Sequence, residues 1–143
     1  ETIQNKILFK ESFEKRRCVI PANGYYEWSI KNNIKIPYFI NIPDKESFYF
    51  AGIWRYLDFT KSTSKVFSII TKPANNLLKE IHNRMPVILS SKESKRWLKS
   101  GLSLNDTLTF LAPYPEEQRS AYRVSSAVNN STNQSKDVLK PLV

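Results

Sequence analysis

Apolar residues change their period several times along the chain, and each change marks an element. Ile3, Ile7, Leu8, Phe9 and Phe13 fall at helical spacing with charges between them, which predicts a helix over 3–16 ending near Arg16-Arg17. "CVIP" (18–21) is a short β-branched run closed by Pro21 and reads as a strand. "YYEWSI" (25–30) is a second strand, the Lys31-Asn32-Asn33 turn follows, and "IKIPYFI" (34–40) pairs back as a hairpin. "FYFAGIW" (48–54) predicts a third apolar strand with Gly52 at a bulge. Residues 58–65 are polar and read as a loop, and "VFSII" (66–70) as a buried strand. Leu77, Leu78 and Ile81 share one face of a short helix over 74–82, which Pro86 stops before Met85. "PVILS" (86–90) is a strand. Ser90 and Glu93 then form a capping box, and Gly101 suits the C′ position of the helix they open. A short helix over 105–111 ends before Pro113, "AYRVSSAV" (121–128) is the last strand, and 129–137 is a polar loop. Many short strands with few helices between them predict a mainly β, α+β fold: a curved antiparallel sheet or barrel-like core with a few short helices.

Composition narrows the class. The 143 residues fit one domain, 1–143. A chain of this length can hide roughly 70% of its unfolded surface. Hydrophobic residues at 41% and aromatics at 13% exclude a disordered composition. One cysteine rules out an internal disulfide. No apolar run approaches the roughly 20 residues that span a bilayer, and no signal-peptide pattern opens the chain, so no membrane partner is expected. The chain starts at Glu1 rather than Met, which leads us to expect that its natural beginning lies upstream. A net charge of +9, from 22 Lys and Arg against 13 Asp and Glu, attracts a polyanion, most commonly nucleic acid; solubility alone is the alternative.

Three side chains draw chemical interest. Glu27 sits among Tyr25, Tyr26 and Trp28. Alternation on a strand puts Tyr25 and Glu27 on one face and Tyr26 and Trp28 on the other. Facing inward, Glu27 would have its pKa raised by desolvation towards general acid–base use; facing outward, it would pair with one of many lysines. His82, the one histidine, falls in the last turn of the 74–82 helix, whose dipole favours the protonated ring; Arg84 follows as a planar phosphate donor. Capping and solvation are the alternatives for these two. Cys18 with His82 and Glu27 invites a cysteine-hydrolase reading, but Val19 and Ile20 beside it point to an inert core thiol. Thr71 and Asn75 lie at a strand-to-helix junction able to hold an anion. One Cys and one His cannot make a zinc cluster, and no phosphate-binding glycine loop occurs, so neither metal nor cofactor is expected.

Taken in order, "RRCVIPANGYYEW", "FAGIW", "SIITKPAN", "IHNRMPVIL" and "YRVSSAVN" resemble the SOS-response-associated peptidase (SRAP) family, also called abasic-site processing proteins, from Glu1 to about Asn129. Asn23 and Asn83 stand where Asp is common in that family. The resemblance implies an SRAP-like fold and a shield for abasic sites in single-stranded DNA, within the SOS or DNA-damage response. Its members carry a second-position Cys that becomes the N-terminus and bonds covalently to the opened sugar aldehyde. An α-amine with a pKa of about 7.7–8.0 is on the order of a tenth neutral at pH 7, against under a thousandth for a lysine near 10.4. The neutral amine forms an imine, and the adjacent thiol closes a thiazolidine.

By the same resemblance Glu27 matches the catalytic Glu and His82 the catalytic His, while Trp28, Thr71, Arg84 and Met85 match positions near the DNA. The family's opening Met-Cys-Gly is not in this sequence, and Glu1-Thr2 resembles the end of an Asn-Ala-Arg-x-Glu-Thr block. The fold is therefore expected to be incomplete at its N-terminus. The fragment alone is expected to be inactive in crosslinking, and its own upstream segment or another copy to cover exposed sheet edges. A non-covalent single-strand binder or an inactive remnant is the alternative, and a cysteine-type peptidase, with autoprocessing of the initiator Met, a third. A bacterial source would place the protein in the cytoplasm or on the nucleoid, a eukaryotic one in the nucleus.

Overall fold

The computed structural model describes residues 3, 7–59, 62–112 and 119–142. These fall into two compact units, each assembled from separate stretches of chain. The first draws on the described residues of 1–22, 48–72 and 86–114, the second on those of 23–47, 73–85 and 115–143.

In the first unit, helix α1 (Ile7–Lys15) leads into strand β1 (Arg17–Ala22). The helix is shorter than its apolar spacing predicts, and residues 4–6 lie outside the described set. A sheet gathers around the twelve-residue β4 (Phe48–Phe59), which pairs antiparallel with β1 on one side and β5 (Ser62–Ile69) on the other. The two-residue β8 (Ile88–Leu89) also joins β4, through Tyr49 and Phe50. Ala51 and Ile53 of β4 enter the core with Phe13, Ile70, Val87, Leu89, Trp97 and Phe110. Helix α2 (Ser91–Trp97) starts at the expected capping box: Ser90 Oγ accepts from the Glu93 N–H at 3.2 Å, and the Ser90 N–H donates to Glu93 Oε2 at 2.8 Å. Helix α3 (Leu104–Thr109) lies within the predicted 105–111 region to within a residue at its start.

The second unit holds a three-stranded antiparallel sheet, β2 (Tyr25–Lys31), β3 (Ile34–Asn41) and β9 (Ser120–Arg123), in that order. Asn32 and Asn33 both take positive φ, 51° and 62°, the tight hairpin geometry that asparagine tolerates. Ile40, Leu78 and Met85 form its core, with Tyr25, Tyr38, Ile81 and Ala121 packed around them. Strands β6 (Thr71–Pro73) and β7 (Arg84–Pro86) form a separate two-stranded ribbon.

Several expectations need correction. Residues 58–65 are largely strand, with register running Asp58↔Thr63 and Phe59↔Ser62, while 60 and 61 lie outside the described residues. β5 is an edge strand with mostly exposed side chains, so the ladder holds it without an apolar pattern. No helix forms over 74–82. The bonds alternate between i−3 and i−4, with Leu78 N–H to Asn75 O, Lys79 N–H to Asn75 O, and Ile81 and His82 N–H to Leu78 O. Such a succession of turns buries Leu78 while Leu77 stays exposed.

"PVILS" is divided between β7 and β8. The last strand stops at Arg123, because Val124 turns its N–H to Pro37 O and Ser125 then caps a 3-10 turn (Ser126–Asn129). The 129–137 loop runs into a second 3-10 turn at Lys136–Leu139. Gly101 lies three residues beyond the Leu98 cap, at φ 73°, rather than at C′. Gly52 marks no bulge: register is continuous through Cys18↔Gly52 and Gly52↔Ile69. Its role is close approach, since a Cβ there would stand 2.4 Å from Ile20 Cδ1. Pro113 lies outside the described residues. The strands form open sheets rather than a closed barrel.

Gly24 opens β2 at a tight contact. A Cβ on it would fall 2.1 Å from Phe39 Cζ, and that ring is 7% exposed. Phe39 is also wedged against Tyr26 at 5.3 Å and Tyr122 at 5.8 Å, so it has little room to give. Gly24→Ala is expected to destabilise the chain by about 1–3 kcal/mol, read as a lower urea midpoint. An unchanged midpoint would show that the ring moves aside freely.

Candidate functional site

Period-two alternation and the register of the three-stranded sheet build the site. Tyr25 and Glu27 share a face of β2; Glu27 lies opposite Tyr38, and Tyr38 opposite Arg123. One row inward, Tyr25, Ile40 and Ala121 pack on the Leu78 and Met85 core. Glu27, Tyr38 and Arg123 therefore form a row across one face, half-buried at Glu27 and Tyr38 and exposed at Arg123.

Burial pushes the Glu27 carboxyl above its ordinary range, and the His82 charge and the backbone N–H of Trp28 pull in the other direction. The imidazole is thus within electrostatic reach of the carboxylate, although the two residues are far apart in the chain. His82 itself is exposed and held by Arg84: Nδ1 lies 3.1 Å from both the Arg84 N–H nitrogen and the Arg84 carbonyl oxygen. In the tautomer where Nδ1 accepts from that N–H the proton sits on Nε2, and in the other Nδ1–H donates to the Arg84 carbonyl. The helix-dipole argument for His82 fails with the helix, and the backbone of Arg84 takes its place as the orienting group. A carboxyl raised by burial beside an oriented imidazole can take a proton at one atom and deliver one at another. Deeper in the same unit, burial pushes the Tyr25 hydroxyl far up, with Arg119 opposing and Glu27 adding to the rise. Arg119 is buried and its Nη1 donates to Met85 Sδ at 3.0 Å.

The remaining sequence-predicted residues are not all beside that pair. Trp28 points to the opposite face of β2, where its Nε1–H donates to Asn129 Oδ1 at 2.8 Å. Arg84 is half-buried next to His82 in β7. Met85, 2% exposed, packs in the core with Ile40 and Leu78. Thr71 is an exposed residue at the start of β6. Asn75 uses its Oδ1 to accept the Leu78 N–H at 3.1 Å, which fixes the turn that leads to His82. Cys18 is half-buried in β1 with its thiol pushed up by burial, facing an apolar groove of about 520 Å³ beside Ile20, Trp54 and Phe67. That is the setting of an inert thiol. Strand alternation already placed Tyr25 beside Glu27, whereas Tyr38, Arg123 and Arg119 escape sequence reasoning; for the first two the signal is the β3–β9 register, which only long-range pairing reveals.

The sequence profile described as SOS response associated peptidase (SRAP) matches residues 1–131. The chain belongs to the SRAP family. A crystal structure of a protein from Bacteroides thetaiotaomicron superposes on this SRAP chain with a TM-score of 0.92 at 33% identity, covering 99% of it and 63% of the other. Two Bacillus subtilis relatives are named abasic site processing proteins. YoqW is 35% identical over 144 residues, covering 98% of this chain and 64% of that protein. YoaM is 37% identical over 142 residues, covering 97% and 63%. The SRAP chain described here thus spans a little under two thirds of the length of the relatives it matches. Its fold, antiparallel sheets with a few short helices, is that of the matched part of the Bacteroides thetaiotaomicron structure. Among the described residues no helix is long and apolar enough to cross a membrane, and no three metal-ligating side chains converge.

Proposed function

We propose that this chain serves abasic-site processing in single-stranded DNA during a DNA-damage response, with Glu27 and His82 as the proton-handling pair. The observation that carries the reading is the half-buried Glu27 carboxyl, in a row with Tyr38 and Arg123 and within electrostatic reach of His82, in a chain of +9 whose relatives are named abasic site processing proteins. The family chemistry expected from the sequence begins with attack of an N-terminal Cys amine on the sugar aldehyde. The amine gives up two protons in turn, the aldehyde oxygen takes up two and leaves as water, and an imine is formed. The thiol then adds across the imine carbon, its proton passing to nitrogen, and a thiazolidine closes. Glu27 would relay the amine proton, and His82, through Nε2–H, would donate at the sugar oxygen. By the same resemblance Arg84 would serve the strand as phosphate donor and Trp28 as stacking surface.

Cys18 cannot replace the terminal cysteine, because its nitrogen is in a peptide bond and its thiol is raised. The same facts weigh against a peptidase acting on other proteins, which a casein digest tests. The direct experiment incubates the 143-residue chain with abasic and intact single-stranded oligonucleotides. We expect reversible binding that weakens with salt at a log–log slope of about −0.7 per phosphate contacted, and no denaturation-resistant band. Such a band should appear when the chain is extended upstream to a Met-Cys start. A band from the 143 residues alone would refute the assigned nucleophile, and equal handling of abasic and intact strands by the extended protein would leave only a single-strand binder.

A further inference from the structure

We infer that the cavity on the other face of β2 from Glu27, between Tyr26, Trp28 and the turns after residue 128, binds one unpaired pyrimidine through an edge of two acceptors and one donor. The inference rests on the single-strand reading above and adds a base preference to it.

The cavity measures about 350 Å³ and lies wholly within the second unit. Its aromatic side is Tyr26 and Trp28, two positions apart on β2, with centroids 6.3 Å apart and planes tilted by 46°. Phe39 backs Tyr26, and the Trp28 indole is fixed by its hydrogen bond to Asn129. Rigid rings of this kind are the surface on which an unpaired base stacks.

The opposite wall comes from Asn130, Asn133, Gln134 and Lys136. Their hydrogen bonds determine which atoms remain to meet a ligand. Asn130 Oδ1 accepts from the Thr132 N–H at 3.1 Å and from its hydroxyl at 2.8 Å. Asn133 Oδ1 accepts from the Ser135 N–H at 3.1 Å. Both carbonyls are thus taken by the segment itself, which sets the amide orientation and leaves two NH2 donors. Gln134 is the reverse: its Nε2 donates to Ser131 O at 2.9 Å, leaving Oε1 as acceptor. The wall therefore offers two amide donors, one acceptor and the Lys136 ammonium. Thymine presents acceptor, donor, acceptor along its pairing edge and matches this set. Cytosine carries the same one donor and two acceptors in another order, whereas adenine, with one donor and one acceptor, leaves an amide donor unmatched, so the set favours a pyrimidine over adenine. Lys136 adds attraction for the adjoining phosphate.

The test compares labelled oligo-dT and oligo-dA of equal length, with and without one abasic site, by fluorescence anisotropy at one salt concentration. The chain should bind dT about tenfold more tightly, the discrimination of one well-made set of base contacts. The double variant Asn130→Asp/Asn133→Asp keeps both oxygens that accept from the backbone and replaces both NH2 donors with repelling oxygens. It should lose the dT preference. Lys92→Gln/Lys95→Gln on α2 makes the same change in net charge elsewhere and should weaken both oligonucleotides alike, leaving the ratio intact. If the parent binds single strands with no dT preference, or the double Asp variant keeps the ratio, the inference falls and the function stands. If the parent binds no oligonucleotide, both fall.

Discussion

Glu27→Gln, placed in a chain extended to a Met-Cys start, is expected to slow adduct formation on abasic single strands by about 10²–10⁴-fold, the usual worth of a positioned proton-transfer group. The amide keeps the shape of the side chain and its place opposite Tyr38, but it cannot relay a proton. The same substitution should leave the fold as stable or more so at neutral pH. Burial raises the Glu27 pKa in the folded state above its unfolded value, so the folded chain binds the extra proton in between. The contribution of Glu27 to stability is then fully present below the unfolded pKa, about 4.3, and is lost as pH rises through the folded one. Glutamine has no such loss. Urea midpoints measured from pH 4 to pH 8 should show the parent falling relative to the variant as pH rises. An adduct rate within twofold of the parent would remove Glu27 from the chemistry. A variant that lost rate and stability together would mark it as a structural residue instead.

What could be read in the sequence was what local rules decide. The Asn32-Asn33 hairpin and the Ser90–Glu93 capping box each depend on a few adjacent residues, and both stand where expected. Only the second half of β5 was legible, as the strand over 66–70, and it is exposed rather than buried; the first half was missed because an edge strand with water on its exposed side needs no apolar alternation. Helical spacing at Leu77, Leu78 and Ile81 misled because turns of three and four residues produce the same spacing as a helix. At the candidate site, the motif around His82 singled out neighbours without telling which way each points. In β7 Arg84 is half-buried while Met85 and Pro86, which follow it, are buried. The row of Glu27, Tyr38 and Arg123 needs β9 to pair with β3 from more than 80 positions away, and no local pattern announces that.

Trp97→Ala should carry the largest stability cost of any single change in the first unit, about 3–5 kcal/mol. The ring is 0% exposed and lies at the centre of the core, edge-on to Phe13 at 6.0 Å and to Phe110 at 5.8 Å. It also makes a polar contact that the other two rings cannot, its Nε1–H donating to Cys18 O on β1 at 2.9 Å. Arg17 closes over it, with the guanidinium 5.7 Å from the ring, Nε donating to Trp97 O at 2.9 Å and Nη1 to Phe13 O at 3.0 Å. One arginine thereby ties the C-terminal ends of α1 and α2 together around the indole. Alanine would open a cavity and leave Phe13, Phe110 and Arg17 without a common partner. Trp97→Phe keeps most of the apolar bulk and loses the hydrogen bond, and should cost about 1–3 kcal/mol. Urea unfolding should rank the parent above Trp97→Phe and Trp97→Ala last, with m unchanged between them. Since whole domains hold only about 5–15 kcal/mol, the alanine variant is expected to be partly unfolded at 37 °C. The combination with Phe13→Ala separates a packed cluster from independent contacts. In a cluster the double variant costs less than the sum of the singles, because the second truncation removes a ring that has already lost its neighbour. Full additivity would mean that the two rings do not support each other.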